Sequence, residues 1–189
     1  SKKLNYIYNI SDCVLNVSSA EGFGLSCMES IMSGTPVLGN CIGGLQDQVG
    51  IIKDDGEYLK LEDFTADWPS NSDGRYKEHG EWAFPMWPTH TLQGSPPTPY
   101  IYDSIISITD IRDRLKEVYD LGENELERRG ELGREYVTDK NIRMTAKMMG
   151  EGFISQVDNM LNHWEPRKRF TLVESGKEEP TYPAGIIIK

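Results

Sequence analysis

"SSAEGFGLSCMES" (residues 18–30) decides the fold. It lies between two short apolar runs, "DCVLNVS" (12–18) and "PVLGN" (36–40), each of strand length and bounded by polar or turn residues. Inside it Leu25, Met28, Ile31 and Met32 fall at helical spacing, and Gly34 stands where a helix stops ahead of Pro36. The order is strand, glycine-bearing loop, helix, strand. "CIGGLQDQV" (41–49) repeats the step with a glycine turn and a short helix. Upstream, Leu4, Ile7, Tyr8 and Ile10 mark the last turns of a preceding helix. This alternation is the grammar of an α/β fold, a parallel sheet with crossover helices.

Further along the chain the grammar lapses. "EYLKLEDF" (57–64) has some strand character, but 69–99 reads as loop, with five of the ten prolines between Pro85 and Pro99. Trp68, Trp82 and Trp87 lie in or beside it. Such a stretch fits either a packed functional insert or an excursion that only covers the sheet. "YIYDSIIS" (100–107) is again strand-like. Helical patterns follow at 108–119, at 124–138, where Gly130 and Gly133 weaken it, and from Ile142 to Trp164. The methionines of the last pattern read as core filler. The expected organisation is one partial Rossmann-like domain over 1–165 with an insert at about 54–99, then a tail at 166–189 that opens basic and ends "AGIIIK".

A chain of 189 residues supports one sizeable core. Its formal charge of -10 argues against nucleic acid as the main partner, so a phosphate-bearing ligand needs a local device. Cys13, Cys27 and Cys41 are widely spaced and read as small buried hydrophobes of a reducing, cytoplasmic compartment. His79, His90 and His163 are scattered, and no H-E-x-x-H or D-x-D occurs, so no metal and no cofactor is expected. Asn9 and Asn16 match N-x-S but fall in apolar-patterned segments. Within these residues no stretch reads as a signal peptide or a membrane-length apolar run, so neither is expected here. Peripheral membrane association of a longer protein stays open, and a start at Ser1 directly before an apolar pattern leads us to expect a piece of one.

The loop after the first strand occupies the place where parallel α/β sheets bind ligands. Gly22 and Gly24 let the backbone turn tightly and approach a ligand, and the free amides of a helix start welcome an anion. Carboxylates repel phosphate but accept hydrogen bonds from paired sugar hydroxyls. From helix rise, Glu21 and Glu29 stand roughly 10 Å apart, flanking the amides. That spacing suits a diphosphate with a sugar at each end, the shape of a nucleotide-sugar. The simpler reading is that Glu21 caps the helix and Glu29 belongs to its solvated face.

Ser11 and Asp12, the apolar strand, "SSAEGFGLSCMES", "GTPVLGN" and "GGLQDQV" together resemble the donor-binding, C-terminal half of retaining GT-B glycosyltransferases of group 1. That class contains glycogen-synthase-like and mannosyltransferase-like enzymes. The signature is E-x7-E from Glu21 to Glu29, with Phe23–Gly24 and Gly34–Val37 beside it. The resemblance covers about 4–50, extends more weakly over 100–164, and matches an insert of some phage and bacterial members. It implies that Glu21 and Glu29 are the catalytic pair, Glu21 on hydroxyls of the transferred sugar and Glu29 on the ribose. It further implies that the amides of Gly22, Phe23, Gly24 and Leu25 face the sugar and diphosphate, with Gly43 and Gly44 shaping a neighbouring loop. The implied activity is metal-free hexosyl transfer with retention, by front-face attack and with charge stabilised on the leaving diphosphate. The family's upstream basic pair and N-terminal acceptor domain are not in this sequence. The resemblance therefore implies weak donor binding and no transfer by this chain alone, with the acceptor unknown.

Three other readings compete. A module could bind nucleotide-sugar or glycan without transfer. A dinucleotide oxidoreductase fragment is disfavoured because no G-x-G-x-x-G follows the first strand. A plain interaction domain would draw on the aromatic segment 82–102.

Overall fold

The computed structural model describes residues 2–142 and 144–166. The proposed tail, save Pro166, lies outside the described residues. The chain divides into two compact units, Ser1–Met149 and Gly150–Lys189. The sheet and everything said of a site belong to the first.

In order, the elements are α1 (Lys2–Asn9), β1 (Val14–Asn16), α2 (Leu25–Met32), β2 (Val37–Asn40) and α3 (Leu45–Gln48). β3 (Ala83–Met86), β4 (Thr89–Ser95), β5 (Thr98–Ile105), α4 (Ile108–Leu121), α5 (Glu123–Thr138) and α6 (Ala146–Asn162) complete the chain. β1, β2 and β3 form a parallel sheet in that order, with Val14 opposite Val37 and Val37 opposite Ala83. The α/β expectation holds: this is a Rossmann-like parallel sheet flanked by helices.

The sheet is central because its strands alternate between two apolar layers. Val37, Cys41 and Ala83 pack with Cys27, Met28 and Ile31 of α2, with Leu45 and Val49, and with Val137 of α5. Leu38, Phe84 and Met86 face the other way, toward Val118 of α4 and Leu126 in the first turn of α5. β1 is an edge strand, so Leu15 and Val17 of the expected buried run are exposed.

The loop reading of 69–99 requires correction. Its second half holds β3, the third strand of the core, and β4, which pairs antiparallel with β5 across a Pro96–Pro97 turn. Pro85 masked β3 in the sequence. Trp82 and Met86 carbonyls accept from the Val37 and Cys41 amides at 3.0 and 2.8 Å, so in a parallel ladder the Phe84 and Met86 amides face β2. The nitrogen of Pro85 then faces the open edge, where a missing donor costs nothing.

Of the aromatic residues there, two of the three tryptophans are core, while Tyr100 and Tyr102 of β5 are exposed. Trp82 is 4% exposed and Trp68 is 7% exposed, the latter lying under the Arg75 guanidinium. Trp82 stacks 4.5 Å from Tyr136, and its indole donates to the Gln48 carbonyl at 3.0 Å. "EYLKLEDF" is not a strand; it folds as bridged turns and one 3-10 turn at Leu61–Asp63. The glycines that interrupt the pattern of α5 are there for close approach: Gly130 abuts the Gly34 carbonyl and Gly133 abuts Trp82. α6 has the expected helical form; of the methionines read as core filler, Met144 just ahead of it packs against the core, whereas Met149 is exposed. Periodicity specifies an apolar stripe but not a layer to cover it.

Candidate functional site

The site begins where β1 ends. Asn16 is buried, and its Oδ1 accepts from the Ser18 amide at 2.9 Å, turning the chain out of the sheet. The chain then runs through Glu21–Gly24 into α2. Gly24, at φ 84, forms the N-cap in the left-handed region that favours glycine. No side chain caps α2. Glu21 is therefore not a helix cap, and the first reason to regard it as merely structural is removed.

The loop rests on the segment from Gly43 to Gln48. A Cβ on Gly43 would overlap the carbonyl oxygen of Glu21, and one on Gly44 would lie 2.6 Å from the Gly22 oxygen and 2.7 Å from the Phe23 Cα. Gly43 itself has φ 46. Gly43 and Gly44 thus permit backbone-on-backbone contact with the Glu21–Phe23 loop. Gln48 Nε2 donates to the Phe23 carbonyl. Among the described residues the amides of Gly22, Phe23, Gly24 and Leu25 donate to no protein acceptor. The first intrahelical bond of α2 runs from the Met28 amide to the Gly24 carbonyl at 3.0 Å. Four successive donors are left for something outside the chain.

Glu29 lies on α2, half-buried, and accepts from the Tyr8 hydroxyl of α1 at 3.0 Å. Tyr8 is 8% exposed. Burial first, and then the Glu29 carboxylate, push its hydroxyl above the ordinary value, so it stays protonated and donates. Thr35 secures the same residue by donating to the Tyr8 carbonyl at 2.8 Å. A carboxylate oriented this way is not simply part of a solvated helix face. Cys27, 1% exposed on the same helix, feels the charge of Glu21 and interacts electrostatically with Tyr8. Glu21 itself is half-buried, whereas Gly22, Phe23 and Leu25 are exposed.

Several residues of this site carry no sequence motif. Asn40, fully buried at the end of β2, donates through Nδ2 to the Ser18 carbonyl at 2.8 Å and the Ser104 carbonyl at 3.1 Å. It ties the loop to the base of the β4–β5 hairpin, which leaves the same end of the sheet. Tyr8 and Gln48 were legible only as an apolar helix position and a polar residue in an otherwise apolar helix. The one available signal was a polar side chain at a core-facing position, as in "VLGN" and "LQDQV".

Two recesses of the first unit lie elsewhere. One of about 590 Å³ runs beside Ser11, Asp12, Thr35 and Arg134. Another of about 670 Å³ runs between Tyr58, Trp82 and Tyr136. Neither is lined by residues 21–29, and the loop presents an open face. All three cysteines are free thiols, with Cys27 and Cys41 buried as expected. Burial pushes the Cys41 thiol up to about 12. Among the described residues no three His, Cys, Asp or Glu side chains are grouped to hold a metal ion, and no helix is long and apolar enough to cross a membrane.

Residues 1–56 match the family described as glycosyl transferases group 1. A trehalose synthase of Pyrococcus horikoshii is 37% identical over 49 residues, a stretch that makes up 26% of this chain and 12% of that protein. The matching family segment contains β1, the Glu21–Leu25 loop, α2 with Glu29, β2 and the Gly43–Gln48 support. The similarity to group 1 glycosyl transferases is carried by residues 1–56 of this chain.

Proposed function

We propose that this chain supplies the nucleotide-diphosphate-sugar site of a retaining glycosyltransferase. The observation that carries the reading is the row of four amides, Gly22 to Leu25, which donate to nothing within the described residues; in sequence Glu21 stands just before them and Glu29 just after. The amides take the diphosphate, Glu21 takes hydroxyls of the transferred hexose and Glu29 takes the ribose. Charge that develops on the leaving diphosphate is met by main-chain donors already in place, which lowers the barrier without reorganisation. The matched stretch covers 12% of the trehalose synthase. We place the acceptor-binding groups outside this chain, so that transfer requires the longer protein.

The test is titration of the 189-residue chain with UDP-glucose, ADP-glucose and GDP-mannose. At least one should bind. Glu29→Ala should weaken it by about 10-fold or more, the worth of hydrogen bonds to a charged acceptor. Inorganic pyrophosphate, which has no ribose, should be indifferent to that change. The reading fails if none of the three binds, or if Glu21→Ala and Glu29→Ala both leave binding unaltered. Glycosylation of an acceptor by the chain alone would overturn the placement of the acceptor groups.

A further inference from the structure

We infer that Gln48 is a positioning residue for the diphosphate cradle: its buried amide turns the Phe23–Gly24 peptide so that the Gly24 N–H faces the ligand. The inference rests on the donor-site reading above and adds to it a residue that touches no ligand itself.

The argument is one of peptide geometry. In a trans peptide the carbonyl and the following N–H point in opposite directions, so holding one aims the other. The Phe23 carbonyl is held by Gln48 Nε2. The N–H of Gly24 therefore points away from α3. The neighbouring peptide is set the same way: the Glu21 oxygen is aimed at Gly43, with its carbonyl carbon farther off, so the Gly22 N–H also points away. Amides aligned in this manner make the concavity that main-chain anion sites use. Gly43 sets the Glu21–Gly22 peptide by allowing contact, Gly44 lies against the Gly22 oxygen, and Gln48 sets the Phe23–Gly24 peptide by a directed bond.

Packing alone does not explain a glutamine here. Gln48 is fully buried, and among the described residues its Oε1 has no hydrogen-bond partner and its side chain bonds to Phe23 alone. A leucine or methionine would fill the space without burying an unpaired amide oxygen, which is a costly arrangement. The backbone of Gln48 is itself located by the Trp82 indole at 3.0 Å, so the pin is anchored to the core. Gly24 completes the fit, because a Cβ there would overlap the Leu45 side chain and lie 3.4 Å from Gln48 Nε2.

Inorganic pyrophosphate is the probe, since it engages the amides without any base or sugar. In the wild-type chain the Gly24 amide resonance should shift on titration. Gln48→Leu should weaken binding by about 3- to 10-fold, the worth of one hydrogen bond, and largely abolish that shift. Gln48→Glu keeps the shape but presents a carboxylate to the Phe23 carbonyl at neutral pH. Burial raises a carboxyl pKa. As pH falls the acid regains an O–H donor, and affinity relative to wild type at the same pH should recover in Gln48→Glu and not in Gln48→Leu. A residue with a purely structural role gives no such recovery. If wild type binds and shifts but both variants bind equally well, the role of Gln48 is refuted and the donor-site reading survives. If wild type neither binds pyrophosphate nor shifts at Gly24, both fall. Should Gln48→Leu not fold, the pH-dependent recovery of Gln48→Glu decides the question alone.

Discussion

Replacing Gly130 with alanine sets local propensity against tertiary packing, and the two predict opposite signs. Gly130 lies in the middle of α5, where alanine is favoured over glycine by roughly 0.8–1.0 kcal/mol. The sequence taken alone therefore makes Gly130→Ala a stabilising change. In the fold, a Cβ at this position would overlap the carbonyl oxygen of Gly34 and come within 2.6 Å of its carbonyl carbon. Carbon atoms normally approach to about 3.5–4.0 Å, so one of the two backbones must move. Overpacking costs about 1–3 kcal/mol, and the upper end applies when the obstacle is main chain rather than a side-chain tip. The net effect is a loss of about 2 kcal/mol. For a protein of this size that lowers the midpoint of thermal unfolding by roughly 4–8 °C. Gly150 of α6 is the control: a Cβ there meets nothing within 4 Å, so Gly150→Ala should only raise helix content. Thermal unfolding followed by circular dichroism, with urea titration beside it, measures both. A higher midpoint for Gly130→Ala would refute the close packing of α5 on the Gly34 turn.

Tyr8→Phe removes the hydroxyl that donates to Glu29 at 3.0 Å. It should weaken nucleotide-diphosphate binding by about 3- to 10-fold while changing stability by about 1 kcal/mol or less; unchanged affinity would show that Glu29 needs no such orientation. Burial, joined by the charges of Arg114 and Arg129 and opposed by the Gly80 carbonyl and Glu117, holds His79 below its ordinary value of 6.5. Because the folded value is the lower one, this contribution is present above pH 6.5 and is lost as pH falls through the folded pKa. His79→Asn should flatten the decline of the urea midpoint between about pH 7.5 and 5, and a parallel decline in variant and wild type would dismiss the idea. Half-buried Cys13 should be labelled by an aromatic disulfide reagent in the native protein, and Cys27 and Cys41 only after unfolding. Labelling of all three thiols in the native state would contradict the burial described.

How much was legible beforehand varies along the chain. The two strands around "SSAEGFGLSCMES", the helix between them and the terminal helices follow from local periodicity, which depends only on neighbours in sequence. Glu21, Glu29 and the glycines were visible for the same reason, since a loop between a strand and a helix carries its chemistry within a dozen residues. Tyr8, Asn40 and Gln48 were not. Their partners lie 21, 22 and 25 residues away, and no local pattern encodes that pairing.

Local pattern suffices for an α/β crossover and a glycine loop bracketed by acids, because backbone propensity and hydrophobic spacing are properties of short segments. It took packing across the fold to make Ala83–Met86 the third strand despite Pro85, to place Trp68 and Trp82 in the core, and to have Gly130 and Gly133 admit the Gly34 turn and Trp82 rather than break α5. Each of these depends on which surface a residue meets across the fold. A proline is acceptable on an open edge and a glycine is required beneath a carbonyl, and neither condition is written in the residues alongside them.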